Sequence, residues 1–389
     1  MKRAYKVELK PNNKQRRYFG RCAGAARYVY NWGLAEWKRQ YEAGEKPSAY
    51  SLRKQFTAQK DELCPWVREL PYAVTGSAFL NLGVAFQNFF RRIKNGDPEV
   101  GYPKFKKRGQ HSSFQLKGYK TADDSIWLTR RLGLVRLKER GYIPSEIAYR
   151  VNGGATYCTI SERAGRWYAS IQVEEPDLEP LNGHGSVGVD VGIKSLAVTS
   201  DGTEFEGTKA LYRYERKLNR LNRELSRRKK GGANWRKTKA KIARTHQKIT
   251  NVRRHAQHQA SHHIVEHLQP NIVILEDLNI KGMLKNHKLA KAISDAGMFE
   301  LHRQLTYKAN WRNVQVIKAD RWYASSKTCS GCGYKKTDLT LADRIYECSE
   351  CGLSIDRDLN AARNLASLGI EPPNGRELPE ELECSNASL

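Results

Sequence analysis

The sequence predicts a multidomain α+β protein: a small β-barrel carrying a helical insertion, then an α/β domain interrupted by a four-cysteine ribbon. Three observations predict it. Apolar residues recur at helical spacing over 12–95, short β-like segments fill 96–180, and the last third combines apolar strands ending in carboxylates with two Cys-x-x-Cys turns. A length of 389 residues suggests two or three domains. The chain is 39% hydrophobic, with 10 Phe, 8 Trp and 19 Tyr, enough to bury real cores and to exclude a wholly disordered chain.

Residues 3–9 alternate as a strand does, with Tyr5, Val7 and Leu9 on one face and Lys6 and Glu8 on the other. Pro11-Asn12-Asn13 breaks the chain. Phe19, Cys22, Ala23, Ala26, Tyr30 and Leu34 then recur every three or four residues, and a second helix runs through Ala78, Leu80, Leu82, Ala85, Phe86, Phe89 and Phe90. Turn chemistry at Lys94-Asn95-Gly96-Asp97-Pro98 and Gly101-Tyr102-Pro103 closes this unit. Segments 156–161 and 167–174 form a hairpin around the Gly-containing loop 162–166. Strand 3–9 would complete the barrel, so that residues 1–10 plus 96–180 are one domain and 11–95 its helical insertion. Residues 176–185 read as a linker.

The second half opens with Val187-Gly188-Val189-Asp190-Val191-Gly192, a strand entering a tight turn, and continues as a hairpin through 196–200 and Asp201-Gly202. A long basic helical stretch over 209–268 breaks near Gly231-Gly232. Asn271-Ile272-Val273-Ile274-Leu275-Glu276-Asp277 is an apolar strand ending in two carboxylates, 313–318 is another strand, and 358–368 is a helix. These define an α/β domain over 186–326 plus 355–370, with the ribbon over 327–354. The tail, 371–389, carries five Glu against one Arg without apolar periodicity and is expected to be disordered.

Charge narrows the function. Lys+Arg 68 against Asp+Glu 41 gives a net charge of +27. Such an excess calls for a polyanionic partner, most simply nucleic acid. No run of 18 apolar residues and no secretory h-region is present, so no membrane is expected. Eight cysteines, four of them in one cluster, suit a reducing cytoplasm with one metal site. Within the basic stretch Arg216, Arg220, Arg227 and Arg228 are candidate phosphate contacts. Lys104, Lys106, Lys107 and Arg108, interleaved with Phe105, form a second patch suited to stacking and charge. Six of the ten histidines fall between His246 and His267 and are read as core or phosphate-facing groups.

Two sets of residues carry chemistry. Cys329-x2-Cys332-x15-Cys348-x2-Cys351 presents four thiolates at ribbon spacing, a closed tetrahedral site for one structural Zn²⁺. Asp190, Glu276 and Asp358 end or begin three separate elements. Converging at one sheet edge, with oxygens within a few ångströms, they would hold two Mg²⁺ ions about 4 Å apart, able to activate water and stabilise the leaving oxygen of a phosphodiester. By spacing alone Asp358 could instead be a helix cap, and Asp277 or Asp356 could be the ligand.

Together these segments resemble the TnpB family of IS200/IS605-type transposons, related to type V CRISPR effectors. The resemblance rests on Val187–Lys194 with Asp190, Ile274-Leu275-Glu276-Asp277-Leu278, Ser325-Ser326-Lys327-Thr328-Cys329-Ser330-Gly331-Cys332-Gly333 and Asp356-Arg357-Asp358-Leu359-Asn360-Ala361-Ala362-Arg363-Asn364. Tyr28-Val29-Tyr30-Asn31, Pro103-Lys104-Phe105-Lys106-Lys107 and Ser294-Asp295-Ala296-Gly297 are similar to further family segments. The resemblance implies a wedge-type barrel, a helical recognition domain and a RuvC nuclease of RNase H-like fold. It also implies an omega RNA that guides cleavage of both strands of a double-stranded DNA target beside a short adjacent motif, by a monomer within the ribonucleoprotein. It makes Asp190, Glu276 and Asp358 the metal-binding acids. The rival classes are an RNA-guided binder acting as repressor and an RNase H-like transposase. One departure is visible: Tyr307-Lys308-Ala309-Asn310-Trp311-Arg312-Asn313 lacks the family's usual Gly, a change expected to affect only a loop.

Overall fold

The computed structural model describes residues 2–109, 112–141, 143, 157–181, 183–340 and 343–369. The acidic tail over 371–389, Cys384 included, lies outside the described residues. The chain divides into two compact units, residues 1–176 and 177–389. No helix among the described residues is long and apolar enough to cross a membrane.

In the first unit, β1 (Lys2–Lys10) pairs antiparallel with β7 (Arg166–Glu174) along most of its length and with β5 (Gly133–Leu137) at its end. The remaining strands are β2 (Ser113–Lys117), β3 (Lys120–Thr121), β4 (Ser125–Thr129) and β6 (Tyr157–Arg163), in the order β2-β6-β7-β1-β5-β4-β3. Alternate residues of the long strands, among them Val7, Leu9, Leu116, Leu128, Ile160 and Ile171, share one buried cluster, as in a sheet rolled around its own core. The β6–β7 hairpin is tighter than the expected five-residue loop. Its turn is Ala164-Gly165 with φ of 53° and 75°, the left-handed pair that matches the twist of the flanking strands.

Between β1 and β2 lie α1 (Asn13–Glu42), α2 (Ala49–Leu63) and α3 (Tyr72–Lys94). A reciprocal cap starts α1: Asn12 Oδ1 accepts the Gln15 N–H at 2.8 Å, and Gln15 Oε1 accepts the Asn12 N–H at 3.0 Å. Trp37 of α1 stacks on Phe86 of α3, with centroids 3.9 Å apart.

In the second unit, β8 (Ser186–Asp190), β9 (Ser195–Thr199) and β10 (Glu204–Glu206) form an antiparallel meander, and β11 (Ile272–Leu275) and β12 (Gln315–Lys318) run parallel to β8. The order β10-β9-β8-β11-β12 is the RNase H-like arrangement of the expected nuclease domain. Two antiparallel helices, α4 (Ala210–Ser226) and α5 (Ala233–His262), bridge the meander to β11, and the chain turns between them at Gly231, φ 83°. Between β11 and β12 run α6 (Ile280–Met283), α7 (Ala290–Ala296) and α8 (Met298–Trp311). The loop after α8 contains Asn313 with φ 55°, so where the family segment usually has Gly, this chain places an Asn in the left-handed region. A short hairpin, β13 (Ile345–Glu347) and β14 (Ser354–Asp356), leads into α9 (Arg357–Ser367).

Helix α9 packs on β8 through its smallest face. Ala361, Ala362 and Leu365 are buried, and a Cβ added at Gly188 would lie 2.0 Å from the Ala362 carbonyl oxygen. Ser186 Oγ donates to the Ala366 carbonyl at 2.6 Å. Glycine at 188 is therefore a requirement of close approach. Gly188→Ala should lower unfolding stability by about 3 kcal/mol, since backbone on both sides leaves no flexible atom to yield. Denaturant titration measures this, and an unchanged midpoint would mean that α9 is not seated against β8.

Candidate active site

Strand register places the first two acids. In the parallel β8–β11 pair, Val189 lies opposite Leu275. Asp190 and Glu276 are the next residues on each strand, so they leave the sheet side by side at its C-terminal edge, where adjacent strands are about 4.8 Å apart. The third acid arrives on α9. Asp356 is the helix cap: its Oδ1 accepts the N–H of Asp358 at 2.9 Å and of Leu359 at 3.2 Å. Asp358 is therefore a first-turn residue and not the cap. Asp277, one residue past Glu276, is ion-paired instead, with Arg321 Nε at 3.1 Å and Lys318 Nζ at 3.9 Å.

Burial and neighbouring charge act on two of these carboxylates. The Asp190 carboxyl is pushed well above the usual range, first by burial, then by the charges of Glu276 and Asp358; Arg357 pulls it the other way. Glu276 is also raised by burial, against a hydrogen bond from Ser325 Oγ to its Oε1 at 2.6 Å. Arg357 lies 3.3 Å from Asp358. Only oxygen ligands gather here, a donor set that fits a hard divalent cation better than Zn²⁺. The expected spacing of a few ångströms is not reached. Among the described residues, the one group of three or more ligating side chains whose atoms all lie within 4.8 Å of one another is the cysteine set. Repulsion among three acids opposes closer approach, and a divalent charge between them would reverse that force.

The cysteine set has metal-site geometry. Cys329 and Cys351 sulfurs are 3.6 Å apart, as are those of Cys332 and Cys348. Four thiolates around zinc at about 2.3 Å require a separation near 3.8 Å, so the set fits one tetrahedral ion with no open position. Two buried asparagines tie it to α9. Asn360 Nδ2 donates to the Thr328 carbonyl at 2.7 Å while its Oδ1 accepts the Ser330 N–H at 2.9 Å. Asn364 Nδ2 donates to the carbonyls of Ser325 at 2.7 Å and Thr328 at 2.6 Å. Neither Asn nor Ser325 has a role assigned from sequence. Two amides four apart on an otherwise Ala and Leu face were the available signal.

The basic candidates separate into two kinds. Arg216, Arg220 and Arg227 are exposed on α4 and just beyond it, without an ion pair among the described residues. Arg228 is engaged within the protein: it pairs with Glu224 and donates to the Asn234 carbonyl at 2.6 Å, holding the α4–α5 turn. In the first unit Lys104, Lys107 and Arg108 are exposed and Phe105 is 54% exposed. Lys106 is likewise engaged within the protein. Its ammonium sits 4.0 Å from the Tyr30 ring centroid, its N–H donates to Asn31 Oδ1 at 2.8 Å and its carbonyl accepts from Asn31 Nδ2 at 3.0 Å. The segments at 28–31 and 103–107 are thus one packing unit.

Fold and site define a protein with an RNase H-like sheet whose edge carries acids, joined through α9 to a four-cysteine ribbon. Residues 170–287 match the family described as "Probable transposase", and 299–365 that described as "Cas12f1-like, TNB domain". Residues 1–46 match a "Helix-turn-helix domain", although here they hold a strand and one thirty-residue helix. The chain is 31% identical to the "Putative RNA-guided DNA endonuclease InsQ" of Escherichia coli strain K12, over 94% of this chain and 92% of that one. It is 32% identical to a "Putative RNA-guided DNA endonuclease" of Streptomyces pristinaespiralis, over 95% and 90%. A solved "mini-RNA-guided endonuclease CRISPR-Cas_phi3" shares the fold, with a TM-score of 0.51 at 9% identity over 97% of this chain and 94% of that one. The chain belongs to the TnpB family.

Metal content checks the ribbon. Elemental analysis should find one zinc per chain, and Cys348→Ser should lose the zinc and much of the folding yield, because binding at such a site is folding free energy. Full yield without zinc would remove the assignment.

Proposed function

We propose that this protein is an RNA-guided DNA endonuclease that cuts both strands of a DNA target paired to a transposon-derived omega RNA, beside a short adjacent motif. The observation that carries the reading is the β8–β11 register, which sets Asp190 and Glu276 side by side while α9 brings Asp358 to them. The names of the full-length relatives point the same way.

In this reading Asp190, Glu276 and Asp358 would hold two Mg²⁺ ions, and the hydrogen bond from Ser325 orients Glu276 for it. Bound divalent ions supply the water activation and charge stabilisation that phosphodiester hydrolysis needs. Arg357 stands beside Asp358 as a fixed cation facing a phosphate. Zn²⁺ at Cys329, Cys332, Cys348 and Cys351 is structural. Recognition of sequence is left to base pairing, so the +27 chain needs to hold only backbone phosphates. A monomer in a cytoplasmic ribonucleoprotein suffices for this.

Asp190→Ala should abolish cutting of both strands while guide and target binding persist, and Asp358→Ala should do the same. Asp356→Ala should cost about 1 kcal/mol of helix stability and little cleavage. Cleavage assays with the reconstituted ribonucleoprotein decide: cutting by the Asp190 variant in Mg²⁺ overturns the mechanism. Loss through Asp356 but not Asp358 would reassign the third acid.

Reversing the charges of Arg216, Arg220 and Arg227 together should reduce the slope of log affinity for RNA against log salt by up to about 3, since each phosphate contact releases counterion. An unchanged slope would place the RNA elsewhere.

A further inference from the structure

Beside the β8–β9 turn lies a cavity of about 340 Å³ that the carboxylate site does not use. Gly192, two residues beyond Asp190, is part of its lining. Ile193, Leu196 and Ala292 give it apolar walls, and Tyr212 of α4 stands at it with 73% of its surface exposed. Lys209 and Lys288 are both exposed lining residues, and neither makes an ion pair among the described residues.

The other charged groups of the lining are already engaged. Both carboxylate oxygens of Asp295 accept the Leu211 N–H at 3.0 Å, and Asp295 pairs with Arg253 at 2.6 Å. Lys291 pairs with Glu215 at 2.5 Å. What remains available is an apolar hollow, one exposed aromatic ring and two unpaired cations. An apolar side chain of a protein partner would leave both cations unanswered. A nucleotide uses all three, because its base is flat and apolar on both faces while its phosphate is anionic. The volume lies at the lower end of pockets that take a small ligand.

We propose that this cavity receives one unpaired base of the DNA strand led to the carboxylates, with the base against Tyr212 and its phosphate between Lys209 and Lys288. The proposal rests on the endonuclease reading for the identity of the strand. A duplex cannot enter, because a base must leave its stack to fill the hollow. The pocket therefore selects single-stranded DNA, and its Gly192 wall, two residues from Asp190, sets the held nucleotide on the same strand turn as that acid.

Photocross-linking tests this without requiring cleavage. The full-length protein is mixed at high salt with a single-stranded DNA oligonucleotide carrying 5-iodouracil, irradiated, and the adduct mapped by mass spectrometry. The expected adduct is on Tyr212. Ala292→Trp, which fills the hollow, should abolish it. Tyr212→Ala should weaken oligonucleotide affinity about tenfold, and Tyr212→Phe should restore it, since a ring still stacks. Adducts confined to sites outside the cavity, an affinity indifferent to Tyr212→Ala, or capture of an RNA oligonucleotide of the same sequence, irradiated in parallel, but not of the DNA would each overturn the proposal. If these outcomes hold while the Asp190 variant still cuts, the pocket stands and the nuclease reading fails. If the wild type cuts and no adduct forms at Tyr212, only the pocket is lost.

Discussion

The contact between α9 and β8 governs the catalytic half of this protein. A helix can lie this close to a strand only where the strand offers no side chain, and Gly188 is that place. Everything that must converge then travels on α9. Its first turn carries Asp358 towards Asp190. Its buried face carries Asn360 and Asn364, which hold the first cysteine knuckle and the Ser325 carbonyl, and Ser325 in turn donates to Glu276. Cysteine ribbon and acid cluster are thus mechanically joined, although they are separate in chemistry.

The electrostatics of the two sites follow from opposite surroundings. Most of the chain is basic and solvated, which suits long-range attraction to a polyanion. Asp190 and Glu276 sit at a half-buried strand edge where burial, and then the neighbouring carboxylates, raise the cost of ionising them. Such a cluster is unfavourable for folding on its own account, and a fold that keeps it implies a cation-dependent task. Asp277, a single residue away from Glu276, is instead paired with Arg321 and Lys318.

Much of this was legible in the sequence because it depends on local pattern. The apolar run 272–275 ending in Glu276, the Gly-flanked Asp190 and the spacing of the four cysteines each state their own chemistry. The break at Gly231-Gly232 is equally local. Other features were hidden for physical reasons. Helix α2 buries only Leu52 and Phe56, too few to show a period. In contrast, α8 buries Leu301, Leu305 and Ala309 at four-residue intervals, a signal that was present but not assigned. Lys106 and Arg228 look like their neighbours in a basic run, and charge alone does not reveal that one packs on Tyr30 and the other pairs with Glu224. Spacing alone leaves Asp356 and Asp358 interchangeable; the family resemblance favours Asp358, and the cap hydrogen bonds give Asp356 a separate role.

The central claim is that these acids form one divalent-metal site. Mn²⁺ binding followed by electron paramagnetic resonance on the full-length protein tests it directly. The account predicts two closely spaced ions whose spins couple in the wild type, with the coupled signal lost in Asp190→Asn although the protein remains folded. A wild type that binds no Mn²⁺ at this edge, or an Asp190→Asn variant with the same coupled signal, would contradict it.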